Sequence, residues 1–314
     1  MVYIITRDCA LQSLAFLCYT VRVIKPGRKK TMKKQWICFA IVLCLLSLLG
    51  KAVPASETVS FDTPITMTVN GTLIKMDTKP FLHKGTTYVP IRFVGEALQA
   101  DSVEWDTKRD VAIIRQGKTL IELPKNGQGG YVNGRYVPVE NGIKLIDDRT
   151  FVPVRFVSEN LDCQVDWISE TYTVDIKKAG ITVPKPLVGT RSYTDDEIYW
   201  LSKIVHAESR GEPMEGKIAV ANVVLNRVKS KDYPNTIYGV IFDRKHGVQF
   251  TPVLDGSIYL TPQGDSVIAA KRALEGENPI GDCLFFLNPQ TAESQWILNN
   301  RPYFTTIDNH AFYL

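Results

Sequence analysis

The segment Tyr88-Val-Pro-Ile-Arg-Phe-Val-Gly-Glu-Ala-Leu98 occurs a second time as Phe151-Val-Pro-Val-Arg-Phe-Val-Ser-Glu-Asn-Leu161, identical at seven of eleven positions and 63 residues further on. Self-similarity on this scale means that one supersecondary unit is used twice. The likeness extends outward from the motif. Asn70-Gly71 pairs with Asn133-Gly134, Trp105 with Trp167 after a one-residue deletion, and Asp110-Val-Ala-Ile113 with Thr173-Val-Asp-Ile176. Each copy is expected to turn a hairpin at Asn-Gly, run a second strand into Val-Pro, and form a short helix through Arg-Phe-Val-x-Glu-x-x-Leu. A closing strand then follows the tryptophan. Residues 57–178 therefore read as one small α+β domain of two copies. Arg92 and Arg155 stand four residues before Glu96 and Glu159, the spacing of an intrahelical ion pair.

Residues 179–192 hold two prolines and two glycines with no periodicity, and are expected to be a semi-extended spacer. Beyond it the pattern changes to helical. Ile198, Leu201 and Val205 recur at three- and four-residue spacing, and the next position on that face is Glu208. A carboxylate thus ends an apolar stripe. Asp196, Tyr199, Lys203, His206 and Arg210 make the opposite, polar face, and Thr194 with Glu197 forms a capping box at the start. A carboxyl held against apolar side chains loses solvation in its charged form, so its pKa rises and it can donate a proton near neutral pH. The competing reading is that Glu208 is a helix-end residue paired with Arg210 or Arg227.

The helix restarts at Pro213. Residues 218–228 are apolar on nearly every face except at Asn222, Asn226 and Arg227, so this helix should be central and buried. A short apolar segment (237–242), a loop through Gly247-Val-Gln-Phe-Thr251 and Asp255-Gly256, a helix capped by Asp265, a strand over 283–288 and a closing strand over 307–313 complete the expected order.

The net charge of +4 divides unevenly. Residues 1–55 hold nine Lys/Arg and one acid, 56–192 hold seventeen of each, and 193–314 hold eleven bases against fifteen acids. The excess positive charge falls in a segment with the layout of a secretory signal peptide: Lys33 and Lys34, an apolar run over 37–49 that is short for a membrane span, and Val53-Pro-Ala55 as a cleavage site. That signal begins so cleanly at Met32 that a start there, rather than at Met1, fits the pattern. A secreted protein is expected, and the basic balance gives no argument for nucleic-acid binding. Four of six cysteines lie before residue 55; Cys163 and Cys283 remain, read as buried thiols rather than a disulfide framework.

Residues 57–178 resemble the copper amine oxidase N-terminal-like domain, a stalk module of secreted proteins. Its only histidine is His83, which is not a copper site, and its expected role is positioning or wall adhesion. Residues 193–314 carry His-Ala-Glu-Ser-Arg-Gly-Glu, Ala-Val-Ala-Asn-Val-Val-Leu-Asn-Arg-Val, Tyr-Pro-Asn-Thr, Gln-Phe, Asp-Gly and Asn-His-Ala-Phe-Tyr. Together these resemble the SleB-type cell wall hydrolases. The resemblance implies a multidomain α+β chain, a two-copy stalk followed by a lysozyme/lytic-transglycosylase-like catalytic domain. It implies cleavage of the MurNAc–GlcNAc bond of peptidoglycan with Glu208 as acid/base, Ser209 as its structural neighbour, and no cofactor or metal. Gln249, Phe250, Asn288, His310 and Tyr313 are the candidate sugar contacts, since amides bond N-acetyl groups and aromatic faces stack on sugars. Asp255 or Glu212 could be a second carboxylate, which would make the enzyme a muramidase. An amidase, needing zinc held by such residues as His206, His246 and His310, and a non-catalytic peptidoglycan-binding protein are the alternatives.

Overall fold

The computed structural model describes residues 60–314 apart from 126, 140, 246 and 293, so the expected signal segment and His246 lie outside the described residues. The chain begins with β1 (Thr66–Val69) and β2 (Thr72–Leu73), joined by Asn70-Gly71. Both turn residues take positive φ, 50° and 76°, the conformation that matches a two-residue turn to the twist of its strands. Next come β3 (Phe81–His83), β4 (Thr86–Pro90), α1 (Ile91–Ala97), β5 (Ser102–Asp106), β6 (Val111–Gln116) and β7 (Thr119–Pro124). Then follow β8 (Gly129–Val132), β9 (Arg135–Pro138), β10 (Lys144–Ile146), β11 (Arg149–Pro153), α2 (Val154–Glu159), β12 (Gln164–Ile168) and β13 (Thr173–Lys177). This domain is β-rich within a mixed α+β chain.

Its strands form three sheets, ordered β12-β13-β1-β2, β10-β11-β4-β3 and β5-β6-β7-β8-β9. β1 lies parallel to β13, so the first strand is stitched to the last. In the middle sheet β4 and β11 run antiparallel with Val89 opposite Val152. Two hairpins per half, rather than one, differ from the sequence expectation. β3–β4 and β10–β11 turn at Lys84-Gly85 and Asp147-Asp148, whose residues adopt positive φ without the Asn-Gly signature. The tryptophans sit within strands of their own, β5 and β12, and the expected closing strands follow them as β6 and β13. Apolar residues of all three sheets and both helices fill one core, including Met67, Val89, Val94, Ile114, Ile121, Val152, Val157 and Ile176. A second cluster stacks Phe81 on Tyr88 at 5.0 Å beside Phe151, and His83 meets the edge of the Tyr88 ring.

The expected spacer is not free. Gln99 donates to the Thr182 carbonyl, the amides of Lys75 and Gly189 bond to Leu187 and Leu73, and Leu187 is buried. Val183 and Leu187 supply the apolar side chains that dock it.

The C-terminal domain is helical at its centre: α3 (Asp195–Ser209), α4 (Met214–Lys229), α5 (Ile237–Ile241), α6 (Pro252–Asp255) and α7 (Gly264–Leu274). A three-stranded sheet closes it, built from β14 (Phe285–Leu287), β15 (Tyr303–Ile307) and β16 (His310–Tyr313) in the order β14-β16-β15, with α8 (Trp296–Asn300) preceding β15. The expected single closing strand is thus a hairpin, because Asp308, with φ 49°, turns the chain at the very polar pair that interrupts the apolar run. The capping box is complete, Thr194 accepting from the Glu197 amide while Glu197 accepts from the Thr194 amide. α4 is buried as expected. Asn222 donates to the Glu277 carbonyl, Asn226 to Gly281 and Cys283, and Arg227 to Leu284, so three polar residues on one side of an apolar helix fasten a single loop.

The two domains lie in one compact unit, residues 59–314. Lys271 of α7, fully buried, donates to Thr66 Oγ1 and to the Thr171 and Tyr172 carbonyls at 2.8, 2.8 and 3.3 Å, where β1 meets β13. Burial without a carboxylate at bonding distance pushes its ammonium down to about 7. Lys79 pairs with Glu275 at 3.2 Å nearby. Among the described residues no helix is long and apolar enough to cross a membrane.

Candidate active site

Ile198, Leu201, Ile204 and Val205 of α3 are fully buried against α4, α5 and α7, and the stripe they form runs on to Glu208, one residue before the helix ends. Glu208 is half-buried and makes no hydrogen bond or salt bridge with another described residue. The expected alternative pairing with Arg210 or Arg227 does not form at ion-pair distance. Burial, reinforced by the charge of Asp255 and opposed by that of Arg227, pushes its carboxyl up to about 7. At neutral pH about half of these side chains therefore carry a proton, the state a general acid needs.

Three neighbours define the surroundings. Ser209 is buried and donates back to the Val205 carbonyl at 2.6 Å, closing the last helical turn beneath the acid. Asp255, at the end of α6, accepts from the Ser257 amide at 2.8 Å, and its bonds to Ser257 hold its carboxyl below the usual range. One carboxyl is thus raised and its neighbour lowered, the pattern by which two acids acquire different roles. Arg227 entered the sequence reading only as a possible ion-pair partner of Glu208. Its guanidinium is buried beneath the rings of Tyr233, Phe250 and Phe285, at 5.0, 5.2 and 5.7 Å. Nε donates to Leu284, Nη1 has no partner, and its charge bears on Glu208. An arginine within a run that is apolar on nearly every face was the available signal.

Glu212 is buried and engaged elsewhere. It accepts from the Asn309 amide and side chain at 3.3 and 3.2 Å and faces His310 Nδ1 at 3.8 Å, so it pins the β15–β16 turn to the start of α4. Lys217, also buried, bonds to the Glu212 carbonyl and pairs with Asp265 at 3.0 Å.

The expected sugar contacts divide. Gln249 is half-buried, its amide donating to Gly247, and Asn288 is half-buried with Oδ1 accepting from Gln290. Phe250, His310 and Tyr313 are buried, at 2, 8 and 4% exposure. The Phe250 ring is taken up by the core and Arg227, His310 meets the edge of Phe286 at 5.2 Å, and Tyr313 packs against Tyr303 at 5.8 Å. None of the three presents an open face for stacking. β16 is buried along its whole length and Phe250 lies in a loop turned onto the core, and a residue's type alone does not show which of its faces the fold covers.

Of the histidines proposed for zinc, His206 is buried and accepts from the Gln263 amide, while His310 belongs to the Glu212 contact. Lys203, on the same expected polar face, is likewise buried, donating to the carbonyls of Tyr259 and Leu260. The loop over 257–263 covers that face. Among the described residues no three His, Cys, Asp or Glu side chains are arranged to hold a metal.

Residues 211–313 match the family described as Cell Wall Hydrolase, starting just after Glu208, and residues 68–176 match the Copper amine oxidase N-terminal domain. The spore cortex-lytic enzyme of Bacillus cereus is 45% identical over 120 residues, 38% of this chain and 45% of that protein. The spore cortex-lytic enzyme of Bacillus subtilis is 40% identical over 38% of each chain. The chain therefore spans less than half the length of these relatives. The solved catalytic domain of the germination-specific lytic transglycosylase SleB from Bacillus anthracis is 43% identical, covering 40% of this chain and all of that one, with a TM-score of 0.37. The chain thus carries a C-terminal cell wall hydrolase domain of the family that includes the spore cortex-lytic enzymes, preceded by a copper amine oxidase N-terminal-like domain.

Proposed function

We propose that this protein is a secreted, peptidoglycan-degrading lytic transglycosylase of spore cortex lysis during germination, and that Glu208 is its acid/base. The observation that carries this reading is a half-buried carboxyl, free of partners and raised to about 7, at the end of a buried apolar helix. Glu208 donates its proton to the glycosidic oxygen as the MurNAc C1–O bond breaks. Now a carboxylate, it takes the proton from the MurNAc C6 hydroxyl, whose oxygen bonds to C1. A 1,6-anhydro end results, and the acid is regenerated without water. Gln249 and Asn288 keep a role as contacts for N-acetyl or hydroxyl groups; Phe250, His310 and Tyr313 hold the surrounding structure.

A second reading rests on Asp255. Its charge bears on Glu208 and raises its pKa, and an ionised carboxyl of this kind is what activates a water in inverting glycosidases. Mass spectrometry of the released fragments decides: anhydro ends are expected, and ordinary reducing ends would shift the reading to a muramidase. Intact glycan with freed stem peptides would make it an amidase. Pelleting without any release, by parent and Glu208→Gln alike, would make it a binding protein.

The stalk reads as two copies of one unit. Supporting this, Val89 pairs with its own counterpart Val152, and Tyr88 with Pro153 mirrors Phe151 with Pro90, the self-complementary register of a two-fold interface.

A further inference from the structure

The stalk contains two cavities, of about 610 and 430 Å³, whose linings share a set of residues at equivalent positions of the repeat. The first is formed by Ile91, Arg92 and Trp105 from one half and by Leu145 and Thr150 from the other. The second is formed by Val154, Arg155 and Trp167, facing Leu82 and Thr87. Each pair is separated by 62 or 63 residues, the offset of the sequence repeat. Val103 with Glu104 and Val165 with Asp166 extend the correspondence. Both grooves thus combine a tryptophan, an arginine, an acid, a threonine and a leucine. The leucines are unusually open, Leu82 at 37% and Leu145 at 40% exposure, and Trp167 at 38%. Apolar side chains left in solution within a polar-rimmed groove mark a contact surface.

From these paired linings, the geometry points to two equivalent glycan-binding grooves in the stalk, gripping one peptidoglycan strand at two places. The choice of a glycan rests on the function proposed for the C-terminal domain and on the groove chemistry. An indole and a leucine suit the apolar face of a sugar ring, the acid accepts from and the threonine accepts from or donates to its hydroxyls, and the arginine meets the carboxylates of the stem peptide. A polymer of repeating units can fill two like sites at once, and linked sites bind far more tightly than either alone. The two grooves differ in one respect. In the second, Tyr172 meets Trp167 at 5.1 Å, and the pair also lines a cleft of about 230 Å³ with Tyr199 and Pro262 of the C-terminal domain. Both grooves are built wholly from the stalk, and the second shares Trp167 and Tyr172 with the cleft that reaches the C-terminal domain.

The test is cosedimentation of the full chain carrying Glu208→Gln with purified peptidoglycan stripped of teichoic acid, comparing Leu82→Glu, Leu145→Glu and the double variant. Both leucines lie at the surface, and thermal melting confirms that each variant is folded. Each single change is expected to weaken binding about tenfold, and the pair by about 10² or more, as loss of both anchors of a bivalent grip requires. Failure of the parent to pellet, binding that appears only with teichoic acid present, or a folded double variant that binds as the parent does would each overturn the proposal. The readout is independent of turnover, so a failure of the Glu208 reading leaves it intact. With Glu208 restored, the double leucine variant should cleave short soluble glycans at the parent rate.

Discussion

The two domains of this chain differ in what they bury. The stalk keeps its charges at the surface and, among the described residues, its buried polar side chains are uncharged, Tyr88, Ser158, Cys163, Thr171 and Thr173 among them. The C-terminal domain buries Lys203, His206, Glu212, Lys217, Asn222, Asn226, Arg227, Lys271 and His310 as well. Withdrawing a charge from water costs several kcal/mol unless bonds replace hydration. Most of these groups have such bonds: Lys203 to two carbonyls, Lys217 to Asp265, Glu212 to Asn309, Lys271 to three oxygens of the stalk. Glu208 does not, and it instead changes its acidity. The difference is the one expected between a region that binds at its surface and one that holds a reacting group in its interior, since perturbed titratable groups concentrate where chemistry happens.

Substitutions can break or sharpen this contrast. The largest stability loss should follow Lys217→Met, which removes a buried ammonium from Asp265 and leaves the Glu212 carbonyl without its donor. A cost of about 2–3 kcal/mol in chemical denaturation is expected. Glu208→Gln should move stability the other way. The carboxyl titrates near 7 when folded and near 4.5 unfolded, so the folded state holds its proton longer and loses stability as pH rises between those values. The variant should therefore exceed the parent at pH 8 by on the order of 2 kcal/mol and match it at pH 4. Asp255→Asn removes a charge that raises Glu208. The alkaline limb of the pH–rate profile should move to lower pH by less than about one unit. The smallest effect is expected in the stalk. Arg155→Ala breaks an exposed pair with Glu159 at 3.0 Å, and the melting temperature should move by under about 2 °C.

The sequence disclosed these features unevenly. The Asn-Gly hairpins, both short helices of the stalk, the capped α3 and the buried α4 were legible because turn chemistry and helical periodicity are local. The hairpins at Lys84-Gly85 and Asp147-Asp148 lack a distinctive turn pair and were missed. The crossing of β1 onto β13 depends on strands more than 100 residues apart, which no local pattern encodes. At the site, Glu208 stood out as a polar residue on an apolar stripe. Phe250 and Tyr313 read as sugar platforms because aromatic residues look alike in a sequence whether their faces are covered or open. Arg227 was read as an ion-pair partner and its aromatic setting was missed for the opposite reason: Tyr233, Phe250 and Phe285 come from three separate segments and meet only in the folded chain.

The central claim is that Glu208 moves the proton on which glycan scission depends. Its most direct test is the initial rate of fragment release from peptidoglycan between pH 5 and 9, by the parent and by folded Glu208→Gln. The account expects a parent rate that falls above a pH near 7 and a variant slower by about 10²–10⁴-fold throughout. A folded variant that releases fragments at the parent rate would contradict it.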